Sequence, residues 1–226
     1  MDAKRLEIEG SGTRFSAVSA SRALHRGLGS LAAGWHRVDV SVTESFFLGV
    51  AAVLAIAVSL LAASDAHGVF GGGLAVVTIA IAAIDSRKFI IPDALTVTAL
   101  ALGLGNAAVV APGDVAGGLS IAMLRGAALA LLCLALQAGY RRLRGREGLG
   151  SGDVKLAGVA GLWLDWLTIP PVIEIATLAA IAFFIHGYFA RGGRALRLTS
   201  RLPFGLFLAP AIWLGWLLQT LSGLSP

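Results

Sequence analysis

Gly150-Ser151-Gly152-Asp153-Val154-Lys155 sets a carboxylate between a pair of glycines and the long apolar run that begins at Val154. An acid at such a boundary belongs where a membrane-spanning segment meets water, and it calls for a partner or a task. Upstream, Ile84-Asp85-Ser86-Arg87 closes another apolar run and Ile91-Pro92-Asp93 opens the next. Two carboxylates at equivalent ends of two spans predict a pair.

The composition supports a membrane setting. Of 226 residues, 57% are hydrophobic and 14% charged, too few charges to cover a globular surface. Apolar runs fall at 46–64, 69–84, 94–111, 119–140, 154–168, 171–190 and 204–221. Each is close to the ~20 residues that cross a bilayer, or somewhat short of it. The ~10-residue alternating segments of a barrel are absent from the sequence. The expected fold is therefore an all-α polytopic membrane protein of about seven transmembrane helices. The short runs 69–84 and 154–168 both border a key aspartate, so their helices are expected to continue through it.

The charge pattern orients these spans. With the first residue in the cytoplasm, the inner segments 1–45, 85–93, 141–155 and 191–203 hold six, two, five and four Lys and Arg, 17 of the 18 in the chain. Arg125 falls on the outer half. The positive-inside rule places Asp85 and Asp153 on the cytoplasmic side. The net charge of +5 is thus a topology signal, and no polar basic face exists to bind nucleic acid.

Residues 1–45 form a separate cytoplasmic segment, read either as a disordered tail or as an interfacial helix, since Leu24, Leu28, Leu31 and Trp35 recur beside Arg22, Arg26 and Arg37. Residues 46–226 form the polytopic domain. A removable signal peptide fits poorly, because the first apolar run starts at Phe46 and is long for such a segment.

Two carboxyl groups close together cannot both ionise easily, so one keeps a proton at working pH. The ionised member can then activate a water while the protonated one donates to a scissile carbonyl, which is aspartic-protease chemistry without a metal. The residues leave open which aspartate is acid and which is base. Gly150 and Gly152 would let a substrate backbone approach closely. Pro92 breaks the chain between spans two and three. Asp93 is a third carboxylate, suited to capping the third helix or to perturbing the pair. Lys155 is read equally as a headgroup anchor and as a residue tuning the pair. No cofactor is expected, and no metal, since no His and Cys stand at ligand spacing.

Other polar and aromatic residues have simpler readings. Glu174 is expected to pair with Arg125 or to snorkel. His186 is read as packed or interfacial, and Cys133 as a small apolar residue. Trp163, Trp166, Trp213 and Trp216 are read as an outer aromatic belt. Gly103, Gly105, Gly158 and Gly161 would allow close helix packing.

Three stretches carry a resemblance: Asp85-Ser86-Arg87-Lys88-Phe89-Ile90-Ile91-Pro92-Asp93-Ala94-Leu95-Thr96, Gly148-Leu149-Gly150-Ser151-Gly152-Asp153-Val154-Lys155-Leu156, and Leu202-Pro203-Phe204-Gly205. In order and spacing they resemble the signatures of the type IV prepilin peptidase family, over about residues 70–215. The resemblance implies a GxGD aspartic protease core with Asp85 and Asp153 catalytic, facing the cytoplasm of a bacterial inner membrane. It implies prepilin or pseudopilin substrates cut at a positively charged leader, just before an apolar segment. Asp93 departs from the family's usual asparagine. The bifunctional members have a cysteine-rich insertion after the first span, whereas here about four residues join spans one and two and no cysteine pair occurs. The chain is similar to the compact, peptidase-only branch of tight-adherence pilus systems, and N-methyltransferase activity is not expected.

Two rival readings remain open at the sequence level. One is a different GxGD intramembrane protease, whose Tyr-Asp motif is not matched by Ile84-Asp85. The other is a non-enzymatic transporter or assembly subunit that uses its acids as proton sites. The oligomeric state is not readable.

Overall fold

The computed structural model describes residues 42–145, 148, 150–190 and 203–223. Among them are seven α-helices and no strand: α1 (Val42–Ala62), α2 (Ala66–Lys88), α3 (Asp93–Val110), α4 (Val115–Arg144), α5 (Ser151–Trp163), α6 (Ile169–Ala190) and α7 (Gly205–Leu221). The expectations for the amino-terminal segment fall almost wholly outside these residues, except that α1 begins at Val42 and not at Phe46. All-helical architecture follows from the membrane setting, where each backbone N–H and C=O must be satisfied within its own segment.

Seven helices agree with the seven apolar runs, but not all reach span length. Five, α1 to α4 and α6, are long and apolar enough to cross a membrane. At 13 and 17 residues, α5 and α7 would extend only about 20 and 25 Å at the helical rise. The expected run 154–168 stops being helical at Trp163 because Leu164 turns extended and Asp165 closes the next turn. The Asp165 carbonyl accepts from the N–H groups of Thr168 and Ile169, and Pro170 and Pro171 then fall in the first turn of α6, where no N–H is needed. As expected, α2 continues through Asp85, to Lys88.

α2 and α5 form the interior. α2 packs against α1, α3 and α7, and α5 against α3, α4 and α7. Over its most apolar stretch α2 is 56% buried, against 11% for α1, which lies at the periphery. Leu74, Val77 and Ile81 of α2 join Leu156, Val159 and Leu162 of α5 and Leu208 and Ile212 of α7 in one core. The α4–α5 contact is close enough to need glycine: a Cβ on Gly161 would stand 2.5 Å from the carbonyl oxygen of Arg125.

Trp163 and Trp216 depart from the belt reading, since both are fully buried. Their rings fill space left by glycines, Trp163 beside Gly103 and Trp216 against Gly71. The Trp163 indole N–H donates to the carbonyl of Ala99 at 2.9 Å. Trp166 is exposed, as a belt residue would be.

Candidate active site

The carboxylates come from two interior helices. Asp85 lies in the last turn of α2 and Asp153 in the first turn of α5. Asp85 is 5% exposed, and its Oδ2 accepts the backbone N–H of Leu206 at 3.0 Å. That N–H opens α7, where first-turn donors lack intrahelical partners, and it is shared with the Pro203 carbonyl at 3.2 Å.

Ile91 holds these pieces together. Buried in the α2–α3 connection, it stands between two glycines: a Cβ on Gly152 would come 2.9 Å from Ile91 Cδ1, and one on Gly205 would come 3.0 Å from it. The Gly205 Cβ would also lie 2.8 Å from Asp85 Oδ2. Gly152 immediately precedes Asp153, so the Ile91 contacts draw the two acids to one end of the bundle.

Asp153 is half-buried and sits just before the apolar run that starts at Val154. Burial pushes its carboxyl up from the ordinary 3.8 to about 6, against a backbone hydrogen bond from Gly150 and with added repulsion from Asp85. The arrangement therefore has a carboxyl that keeps a proton to unusually high pH next to one whose oxygen accepts a backbone N–H. Such a pair can donate and accept protons in the same event.

Pro92 and Asp93 take other positions than capping would give. Pro92 occupies the N-cap of α3 with φ −66, and Asp93 is the first helical residue, with no side-chain cap bond at that end. The Asp93 carboxylate instead pairs with the ammonium of Lys155, joining the first turns of α3 and α5. Lys155 thus has a protein partner while its side chain stays partly exposed. A cation near a helix N-terminus is unfavourable, and Asp93 offsets it.

Sequence reasoning did not anticipate the parts played by Ile91, Gly205 and Leu206. A signal existed for Gly205, which ends the third quoted signature, but its contact with Asp85 crosses 120 residues and has no local pattern.

A second polar cluster lies at the opposite end of the bundle. His67, Asn106, Arg125, Asp165 and Gln219 border a cavity of about 260 Å³. His67 Nδ1 is 2.6 Å from Asn106 Oδ1 and its Nε2 3.0 Å from Thr220 Oγ1. Arg125 pairs with Asp165 and not with Glu174, which is exposed. The Asp165 N–H donates to Gln219 Oε1, whose amide in turn donates to the Trp163 carbonyl. These bonds tie the far ends of α2 to α5 and α7 together, and His186 takes no part, being exposed in α6. No group of three or more potential metal ligands occurs among the described residues.

Comparison with known proteins identifies a family and several relatives. The type IV leader peptidase family matches residues 72–185. The leader peptidase HopD of Escherichia coli is 35% identical over 133 residues, 58% of this chain and 82% of that protein. Prepilin leader peptidase/N-methyltransferases are similar as well: that of Burkholderia pseudomallei (strain 1026b) is 35% identical over 147 residues, 61% of this chain and 42% of the relative. That of Dickeya chrysanthemi is 34% identical over 157 residues, 65% of this chain and 50% of the relative. The chain thus spans half or less of those longer proteins. No solved structure matches.

Proposed function

We propose, on the premise that this chain belongs to the type IV leader peptidase family, that it is a multi-pass membrane aspartic endopeptidase that removes the leader of prepilins or pseudopilins. The observation that carries this reading is the meeting of Asp85 and Asp153 around Ile91, inside the segment that matches the family. N-methyltransferase activity is not assigned, because the match leaves about half of each relative named for both activities uncovered.

In this reading Asp85, with its Oδ2 held by the Leu206 N–H, is the ionised base and Asp153 the proton donor. Asp85 takes a proton from a water, whose oxygen bonds to the scissile carbonyl carbon. Asp153 gives its proton to the carbonyl oxygen, forming a neutral gem-diol. The gem-diol collapses as its C–N bond breaks, one proton passing through the pair to the leaving amine and another returning to Asp153. Gly150 and Gly152 leave room for the substrate backbone, Pro92 fixes the turn, and the Asp93–Lys155 pair holds α3 against α5.

The test is co-expression with a candidate prepilin, reading leader loss by mass, followed by purified turnover across pH. The reactive pair carries one proton, and the higher of its two affinities governs the loss of that proton. Asp153, raised to about 6 by burial first and Asp85 second, therefore predicts that kcat/KM falls as pH rises through about 6. A rate unchanged from acid to alkaline pH contradicts the shared proton.

Asp93→Asn removes one charge and keeps a hydrogen-bonding side chain. The lost ion pair is largely exposed and contributes little to stability. Processing is expected to survive, with the alkaline limb moved to lower pH by up to about one unit, since a freed Lys155 cation favours ionised Asp153. Complete loss of cleavage in a stably inserted variant means that the acids are misassigned.

The cytoplasmic placement of the site rests on the positive-inside count at the ends of α2 and α5 that carry Asp85 and Asp153. A reporter fused after Gly145 is expected to read cytoplasm, and one after Gly113 the outside. Reversed signals would turn the site to the other face. A bacterial inner membrane is the setting that the family resemblance implies.

A further inference from the structure

Phe89 has φ 53 and ψ 36, the one left-handed non-glycine residue among those described. It caps α2, and its N–H donates to the carbonyl of Asp85 itself at 3.0 Å. Glycine or asparagine normally fills such a cap, because a Cβ there crowds the next carbonyl, and a bulky side chain makes a true outlier. Packing does not compensate at this position. Phe89 is 50% exposed and Ile90 61%, whereas Ile91 beside them is buried between Gly152 and Gly205. A large apolar side chain is therefore kept in a strained conformation without contributing to the core. Strain of that kind gathers at clamps and active sites, where it serves the bound state.

Position narrows what the side chain serves. Phe89 lies one helical turn beyond Asp85, and Ile90 adjoins the residue that draws Asp153 toward it. Arg87 and Lys88 precede the pair in the last turn of α2, so the apolar lip directly follows a basic turn that carries Asp85. A peptide bond held between the acids has its neighbouring residues within reach of this lip. The geometry points to Phe89, with Ile90, as a specificity-determining surface that receives an apolar side chain of the substrate beside the scissile bond. This rests on the endopeptidase reading above.

Phe89→Gly relieves the left-handed strain while deleting the contact, so the two effects separate. The thermal midpoint is expected to stay or rise, while KM for a prepilin precursor rises about tenfold or more with kcat within about twofold. Phe89→Leu is expected to recover most of the lost KM. An unchanged KM, or a loss confined to kcat, overturns the inference and makes Phe89 a support of Asp85. A second arm does not depend on turnover: a photoreactive benzophenone analogue of phenylalanine at position 89, in an Asp153→Asn chain in phosphatidylethanolamine–phosphatidylglycerol vesicles. Adducts to the precursor next to its cleavage site are expected; adducts to lipid alone overturn the inference. Should the parent chain itself fail to cleave, the peptidase reading falls, and this inference with it.

Discussion

Asp85→Asn and Asp153→Asn are each expected to reduce leader removal by about 10³-fold or more, with the double variant no worse than either single one. Asparagine keeps the size of the side chain and its capacity to accept a hydrogen bond, so the Leu206 N–H retains a partner at position 85. What disappears is the second ionisable group, and one carboxyl cannot supply base and acid in the same turnover. Non-additivity is the distinguishing sign, because two independent contributions would multiply. The measurement is leader loss in membranes with equal amounts of each variant. Substantial activity in either one would remove the paired mechanism.

Gly205→Ala is expected to cost on the order of a hundredfold in kcat/KM while the protein still folds. The new Cβ would lie 2.8 Å from Asp85 Oδ2, closer than real Cβ contacts come, and 3.0 Å from Ile91 Cδ1, tighter than most of them. Both neighbours are side-chain ends, so they can yield without moving a helix. The carboxylate that yields is the reactive one, and a displacement approaching 1 Å is enough for a loss of that size. Gly49→Ala in α1 is the control, since nothing lies within 4 Å of its Cβ and activity should be unchanged. If Gly205→Ala retains parental turnover at equal thermal midpoint, the contact between α7 and Asp85 has no catalytic weight.

The helices and the acid pair were legible in the sequence for the same reason: in a bilayer, apolar length and the position of charge at its ends are strong, local signals. Asp85, Asp153, Gly152 and Pro92 could all be found at such ends. Tertiary contact erased other signals. Trp163 and Trp216 had the spacing of a belt, but glycines elsewhere in the chain opened slots for them in the core. Glu174 reads as pairing with Arg125 or snorkelling because both fall on the outer half; the turn after α5 brings Asp165 to Arg125 instead, and Glu174 is exposed. His67, with neither motif nor periodicity around it, gave no hint of its place in the far-end cluster. Asp93 suggested a cap by its position before a helix, yet the pairing with Lys155 arises only when α3 and α5 lie side by side.

The unequal lengths of α4 and α5 give the carboxylate end an uneven floor. The two helices run antiparallel with Gly126 against Gly158, and Asp153 lies five residues toward the site from that level, while Arg141 lies fifteen. At the helical rise, α4 therefore stands about 15 Å proud of Asp153 by the time it reaches Arg141. α2, α3 and α7 instead begin or end within a few residues of the acids. Among the described residues the α4 flank is thus a tall wall beside the acids, with Arg141, Arg142 and Arg144 in its last turn. Like charges at that height repel a positively charged leader, so the α4 flank is the one such a leader avoids.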